Sequence, residues 1–162
     1  MIKLLSFVIL VTLVFSGSLS SEEGNKGNIG VNINYPGVGV KYFWKDKIAL
    51  ELRGQSVNDE GVEATVYGLR GYKYFKTIGK IETFAGLELD YATFKTENSN
   101  GNGYVAELFA GGEYAFARNL SVQMDIGPAL VNLTDTSTAL SNPGMEYVVN
   151  FGINYYFGGI SK

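Results

Sequence analysis

The chain has 162 residues, of which 46% are hydrophobic, 14% aromatic and only 18% charged. That is the length of one domain and too little charge for an ordinary soluble one, where about 25% is usual. With 0 His and 0 Cys there is no Ser-His-Asp or Cys-His nucleophile, no thiolate and imidazole zinc site and no disulfide, and a net charge of -3 offers nucleic acid no basic footprint.

In chain order, Met1-Ile2-Lys3 carries one positive charge, and an apolar run from Leu4 to Phe15 follows, broken only by Ser6 and Thr12. The segment then turns small and polar at Ser16-Gly17-Ser18-Leu19-Ser20. This order is that of a secretory signal peptide over 1–20, with Ser18-x-Ser20 at the cut. The run is too short for a transmembrane helix, which takes about 20 apolar residues. A polar N-terminal segment, 21–27, comes next.

From there the chain alternates with period two, the pattern of strands with two unlike faces. Ile29, Val31, Ile33 and Tyr35 form the first apolar row, and Val38, Val40, Tyr42 and Trp44 the second. Ile48, Leu50 and Leu52 follow, then Thr65, Tyr67, Leu69 and Gly71, then Ile81 through Tyr91. The last rows run from Tyr104 to Phe116, Leu120 to Pro128 and Tyr147 to Phe157. Lys45-Asp46-Lys47, Lys76 to Gly79 and Ala117-Arg118-Asn119 read as short turns. Gln55 to Val62, Thr96 to Gly103 and Asn132 to Gly144, rich in Gly, Asn, Ser and Thr, read as longer loops. Reading 28–44 as one kinked strand would give seven strands, but Pro36-Gly37 splits it and an even count is the rule for bacterial membrane barrels.

The side on which the apolar face lies separates a soluble lipocalin-type barrel from a membrane barrel. The apolar rows carry no charge, as lipid would require. The aromatic residues gather at both strand ends: Tyr42, Trp44, Phe75, Tyr114, Phe116, Tyr155 and Phe157 by the short turns, and Tyr35, Tyr67, Tyr91, Tyr104 and Tyr147 by the long loops. Two such belts match the two membrane interfaces. The opposite face is rich in Gly, which suits a narrow, crowded lumen. The apolar face is therefore expected outside.

On these residues the chain from 28 to 158 resembles the small outer-membrane β-barrel superfamily of the OmpA/OmpX type, with 159–162 as a C-terminal tail. The resemblance implies an all-β fold, an eight-stranded antiparallel up-and-down transmembrane barrel after a cleaved signal peptide. The last strand, Tyr147 to Phe157, is similar to the signal read by the barrel-assembly machinery. Family members usually end on the aromatic residue, whereas Gly158-Gly159-Ile160-Ser161-Lys162 follows here.

The inward face then carries Lys41, Glu51, Arg53, Arg70, Glu82, Glu88, Asp90, Glu107, Glu113 and Asp125, seven acids against three bases. Pairing Trp44 with Ile48 across the first short turn sets Lys41 opposite Glu51. Similar counting sets Arg70 opposite Gly86, within reach of Glu88 or Glu113, and Glu113 opposite Gln123. An eight-stranded barrel is only wide enough to be filled by side chains, so these charges read as a plug, and a cation path is the alternative. Glu88 with Asp90 as paired catalytic carboxylates would need a substrate cleft. Pro128 lacks a ladder donor and predicts a bulge or local break.

The reading is an integral outer-membrane barrel with a filled lumen and a structural or surface-interaction role. No catalysis, cofactor, metal or nucleic acid is expected. Its partners are outer-membrane lipid and, by resemblance, the assembly machinery, and it is expected to be a monomer. The alternatives are a narrow channel for ions or small apolar solutes and a soluble periplasmic lipocalin-like carrier.

Overall fold

A computed structural model describes residues 25–34, 37–59, 61–97, 99–136, 138 and 141–160. The expected signal peptide and the belt residue Tyr35 lie outside the described residues. The strands are β1 (Ile29–Asn34), β2 (Gly37–Lys45), β3 (Ile48–Asp59), β4 (Val62–Ile78), β5 (Ile81–Lys95), β6 (Asn100–Ala115), β7 (Leu120–Asp135) and β8 (Ser141–Tyr156). They form one closed antiparallel barrel in sequence order.

Asn34 pairs with Gly37, so the first hairpin is two strands. The other connections on that rim are much shorter than the polar composition predicts. Asp59 pairs with Val62, Lys95 with Asn100 and Thr134 with Ser141. Ladder bonds come from the backbone, and where both faces of a strand meet water no apolar alternation is needed to hold it. On the opposite rim the turn expected at Lys76 to Gly79 is Gly79-Lys80, with β4 running to Ile78 and Gly79 at φ 65.

The registers fix the strand tilt. Asn34 connects through Gly37, Gln55, Val66, Ala92, Gly103 and Leu133 to Asn142. On its other side it pairs with Gly152, ten residues further along β8. That stagger over eight strands corresponds to a tilt of about 40°.

Apolar side chains cover the outside: Leu52 is 67% exposed, Leu108 63% and Phe151 55%. Asn32, Lys41, Glu51, Arg70, Gln123, Asp125 and Asn154 are buried inside. This is the reverse of a lipocalin, whose cavity is apolar and whose surface is charged.

Lys41 pairs with Glu51 as expected, although it is Lys45, not Trp44, that pairs with Ile48, because a bulge between Phe43 and Lys45 absorbs the extra residue. Glu113 pairs with Gln123, also as expected. Arg70 faces Glu88 rather than Gly86, which lies opposite Tyr72. The correction follows from the true turn position and from a bulge between Tyr74 and Thr77. Pro128 stays in register with Tyr147 on β8. Toward β6 the pairing lapses opposite Leu108 and Phe109 and resumes unshifted at Ala110 and Ile126, the local break expected of a residue without an N–H.

Candidate functional site

Among the described residues the converging chemistry lies in the lumen, which combines a ring cluster with a polar network. At the short-turn end, alternation turns Phe43, Tyr72, Tyr74, Phe84, Phe109 and Tyr156 inward, where they form one buried cluster with Ala49. Tyr72 meets Phe84 and Phe109 edge-on at 5.4 and 5.3 Å between centroids, the geometry that aromatic quadrupoles favour. Gly86 makes room for this packing, since a methyl there would strike the Phe109 ring and the Gly71 carbonyl.

Beside the rings, and sharing Tyr72, Tyr74 and Tyr156 with them, lies a polar network whose centre is Glu113. Its carboxylate accepts from the Tyr74 hydroxyl at 2.6 Å, the Tyr156 hydroxyl at 2.7 Å, the Asn154 amide at 3.0 Å and the Ser121 hydroxyl. The Lys41 ammonium donates to Gln123 Oε1 at 2.6 Å and stands 3.9 Å from Glu51 and 3.7 Å from Glu113. It also sits 4.4 Å over the Tyr72 ring, whose negative face favours a cation. Tyr72 in turn donates to Glu51 at 2.7 Å.

A second cation centre follows toward the other rim. Arg70 bridges Glu88 at 3.0 Å and Asp125 at 2.8 Å while its guanidinium lies 3.8 Å over Phe109. Arg53 adds a fork to both oxygens of Glu88 at 2.9 and 3.0 Å. Asn150 links Asp125, at 3.0 Å, to Glu107 at 3.5 Å. The structure thus brings together Lys41, Glu51, Arg53, Arg70, Glu88, Glu107, Glu113 and Asp125. Asp90 packs over Gly68 at the edge of this group, and Glu82 stands apart at the short-turn mouth.

Cavities lie on either side of the network. The one on the longer-stranded rim, about 350 Å³, is floored by Arg53, Glu88, Asp90, Glu107 and Asn150. The other, about 610 Å³, is bounded by Phe43, Glu82, Glu113, Tyr156 and Ile160. No residue lines both, and between them Lys41, Arg70, Gln123 and Asp125 are closed to solvent. Among the described residues no group of His, Cys, Asp and Glu has the arrangement of a metal site.

On the outer wall Tyr42, Trp44, Tyr67, Phe75, Tyr91, Tyr104, Phe116, Tyr147 and Tyr155 are exposed, and Tyr114 and Phe157 are half-buried. Tyr67, Tyr91 and Tyr104 stand directly opposite one another on three neighbouring strands, so that belt is a ladder in register.

Sequence reasoning missed the aromatic layer as a unit. Its members were legible as an excess of rings on the inward face near the short turns. Tyr74 lay beyond the predicted end of its strand.

No protein-family profile matches the sequence, and neither does any curated protein. Among solved structures, the N-terminal β-barrel domain of Pseudomonas aeruginosa OprF is similar, with a TM-score of 0.56 at 17% identity over 80% of this chain and 94% of that domain. Together with the closed eight-strand order, this likeness shows the fold: an eight-stranded antiparallel barrel like that of the OprF domain.

Proposed function

We propose that this chain is an integral outer-membrane protein, exported by the segment 1–20, whose barrel serves a structural or surface-interaction role as a monomer. It performs no catalysis and conducts no solute. The observation that supports this reading is the Lys41–Glu51–Glu113 and Arg70–Glu88–Asp125 network between the two cavities, whose central side chains have no solvent contact. Insertion would be aided by the β-barrel assembly machinery reading the last strand. Carbonate-resistant membrane association, with a band whose mobility on SDS gels changes on boiling, tests the membrane barrel.

Planar bilayer recording tests the closed lumen. The expected trace is a flat baseline with the native chain. Discrete steps that diminish when Glu88 and Asp90 are changed to Gln and Asn would replace the plug with a cation path.

A further inference from the structure

Near the short turns the outward wall carries charge that the membrane reading does not account for. Lys73 stands between Tyr72 and Tyr74, both buried in the lumen, so alternation turns it toward lipid. It pairs with Ile48, which pairs on its other side with Lys45. Paired residues share a face of the sheet, and Ile48 points outward because Ala49 is buried inside. Lys45 and Lys73 therefore flank Ile48 on three adjacent strands, about 10 Å apart by strand spacing.

Aromatic rings bracket this row: Trp44 is 61% exposed and Phe75 48%. Lys47 fixes the adjoining turn by donating its ammonium to the Phe75 carbonyl at 2.9 Å, and Lys76, near the end of β4, and Lys80, on the turn that follows, stand exposed. The acids nearby are engaged elsewhere. Asp46 accepts from the Lys26 backbone at 3.2 Å, and Glu82 faces the lumen mouth. On the β6 to β8 side of the same rim Arg118 is the one cation among the described residues.

We propose that this flank of β2, β3 and β4 binds the headgroup of an anionic phospholipid of the periplasmic leaflet. The inference rests on the membrane reading above. A lysine on the wall beside belt aromatics extends its ammonium to headgroup depth while its stem stays on apolar surface. At that depth the available anion is a lipid phosphate, not a periplasmic macromolecule. Anionic surfaces attract clustered lysines additively, which gives a preference of roughly fivefold for each.

The test uses the mature protein in mixed phosphatidylcholine and phosphatidylglycerol vesicles, extracted gently, with retained lipids counted by native mass spectrometry. Phosphatidylglycerol should be retained over phosphatidylcholine. The paired change Lys45→Gln and Lys73→Gln should lower that preference by about 25-fold, and Lys95→Gln on the far rim should leave it intact. Equal retention of the two lipids, a preference that survives the paired change, or one abolished by millimolar inorganic phosphate would overturn the proposal. Boiling-dependent mobility in the same vesicles separates the two readings. An inserted barrel without preference sinks only the lipid site, whereas a chain that fails to insert sinks both.

Discussion

Glu113 shows how a single carboxylate can organise a barrel interior. The Tyr74 and Tyr156 hydroxyls, Asn154 and Ser121 all donate to it, and Lys41 stands 3.7 Å away. Glu113→Ala would strand a buried ammonium and those donors together, a loss of about 3–5 kcal/mol. Trp44, the single tryptophan, provides the fluorescence readout for urea unfolding in detergent. Glu113→Gln keeps one acceptor oxygen and should cost less. A matched pair of glycines tests the aromatic layer. Gly86→Ala drives a methyl into the Phe109 ring and the Gly71 carbonyl, and overpacking of that kind costs about 1–3 kcal/mol. Gly144→Ala meets nothing within 4 Å and should be neutral or slightly stabilising in the same titration. The inward charges were legible because a strand of period two assigns each residue to a face. Their partners were not, since Arg70 reaches Asp125 from a strand three places away, a distance no hairpin count spans.

At the scale of elements, the closing seam is where the chain departs most from its resemblance. Among the described residues β1 pairs with β8 from Gly30 to Asn34, the shortest ladder in the barrel. The residues after Phe157 extend this seam. Phe157 donates to the Ile29 carbonyl at 3.0 Å and Ile160 to the Arg118 carbonyl at 2.7 Å, while Asn28 accepts from Gly158 at 3.0 Å and donates to the Gly159 carbonyl. Gly159 adopts φ 79, and Ile160 packs against the aromatic cluster. The tail is therefore a clasp tying the residues before β1 to those after β8 at the short-turn mouth. Asn28→Ala leaves those backbone groups without their partner and should cost about 1–3 kcal/mol, read as a lower temperature for the boiling-dependent mobility change. Removal of 158–162 should lower it further, and an unchanged temperature in both would deny the clasp. Strand number and order were legible because turn residues and alternation are local signals. Strand length was not. Residues 56–59 and 132–135 are polar and look like loop, yet their backbones pair normally.

The shape of the whole molecule comes from the ten-residue stagger, which no single strand encodes. Because of it β3 to β8 rise well beyond the β1–β2 hairpin. Among the described residues, positions 141–150 of β8 have β7 on one side and no strand on the other. Alternate amides of an edge strand point away from its one neighbour. Such groups are tolerable in water and costly in hydrocarbon, where a lipid-exposed open edge does not occur. Under the proposed membrane placement, with Tyr147 in the belt, residues 141–146 belong to the aqueous side. Amide hydrogen exchange of the barrel in lipid nanodiscs resolves this gradient. From residue 141 to 147, every second amide should exchange quickly while its neighbours, bonded to β7, stay protected. From Ile153 to Tyr155, where β1 and β7 both pair, protection should be continuous. Uniform protection through 141–147 would mean that another chain or the membrane covers the edge, and the barrel would then sit deeper in the bilayer than its tyrosine ladder implies.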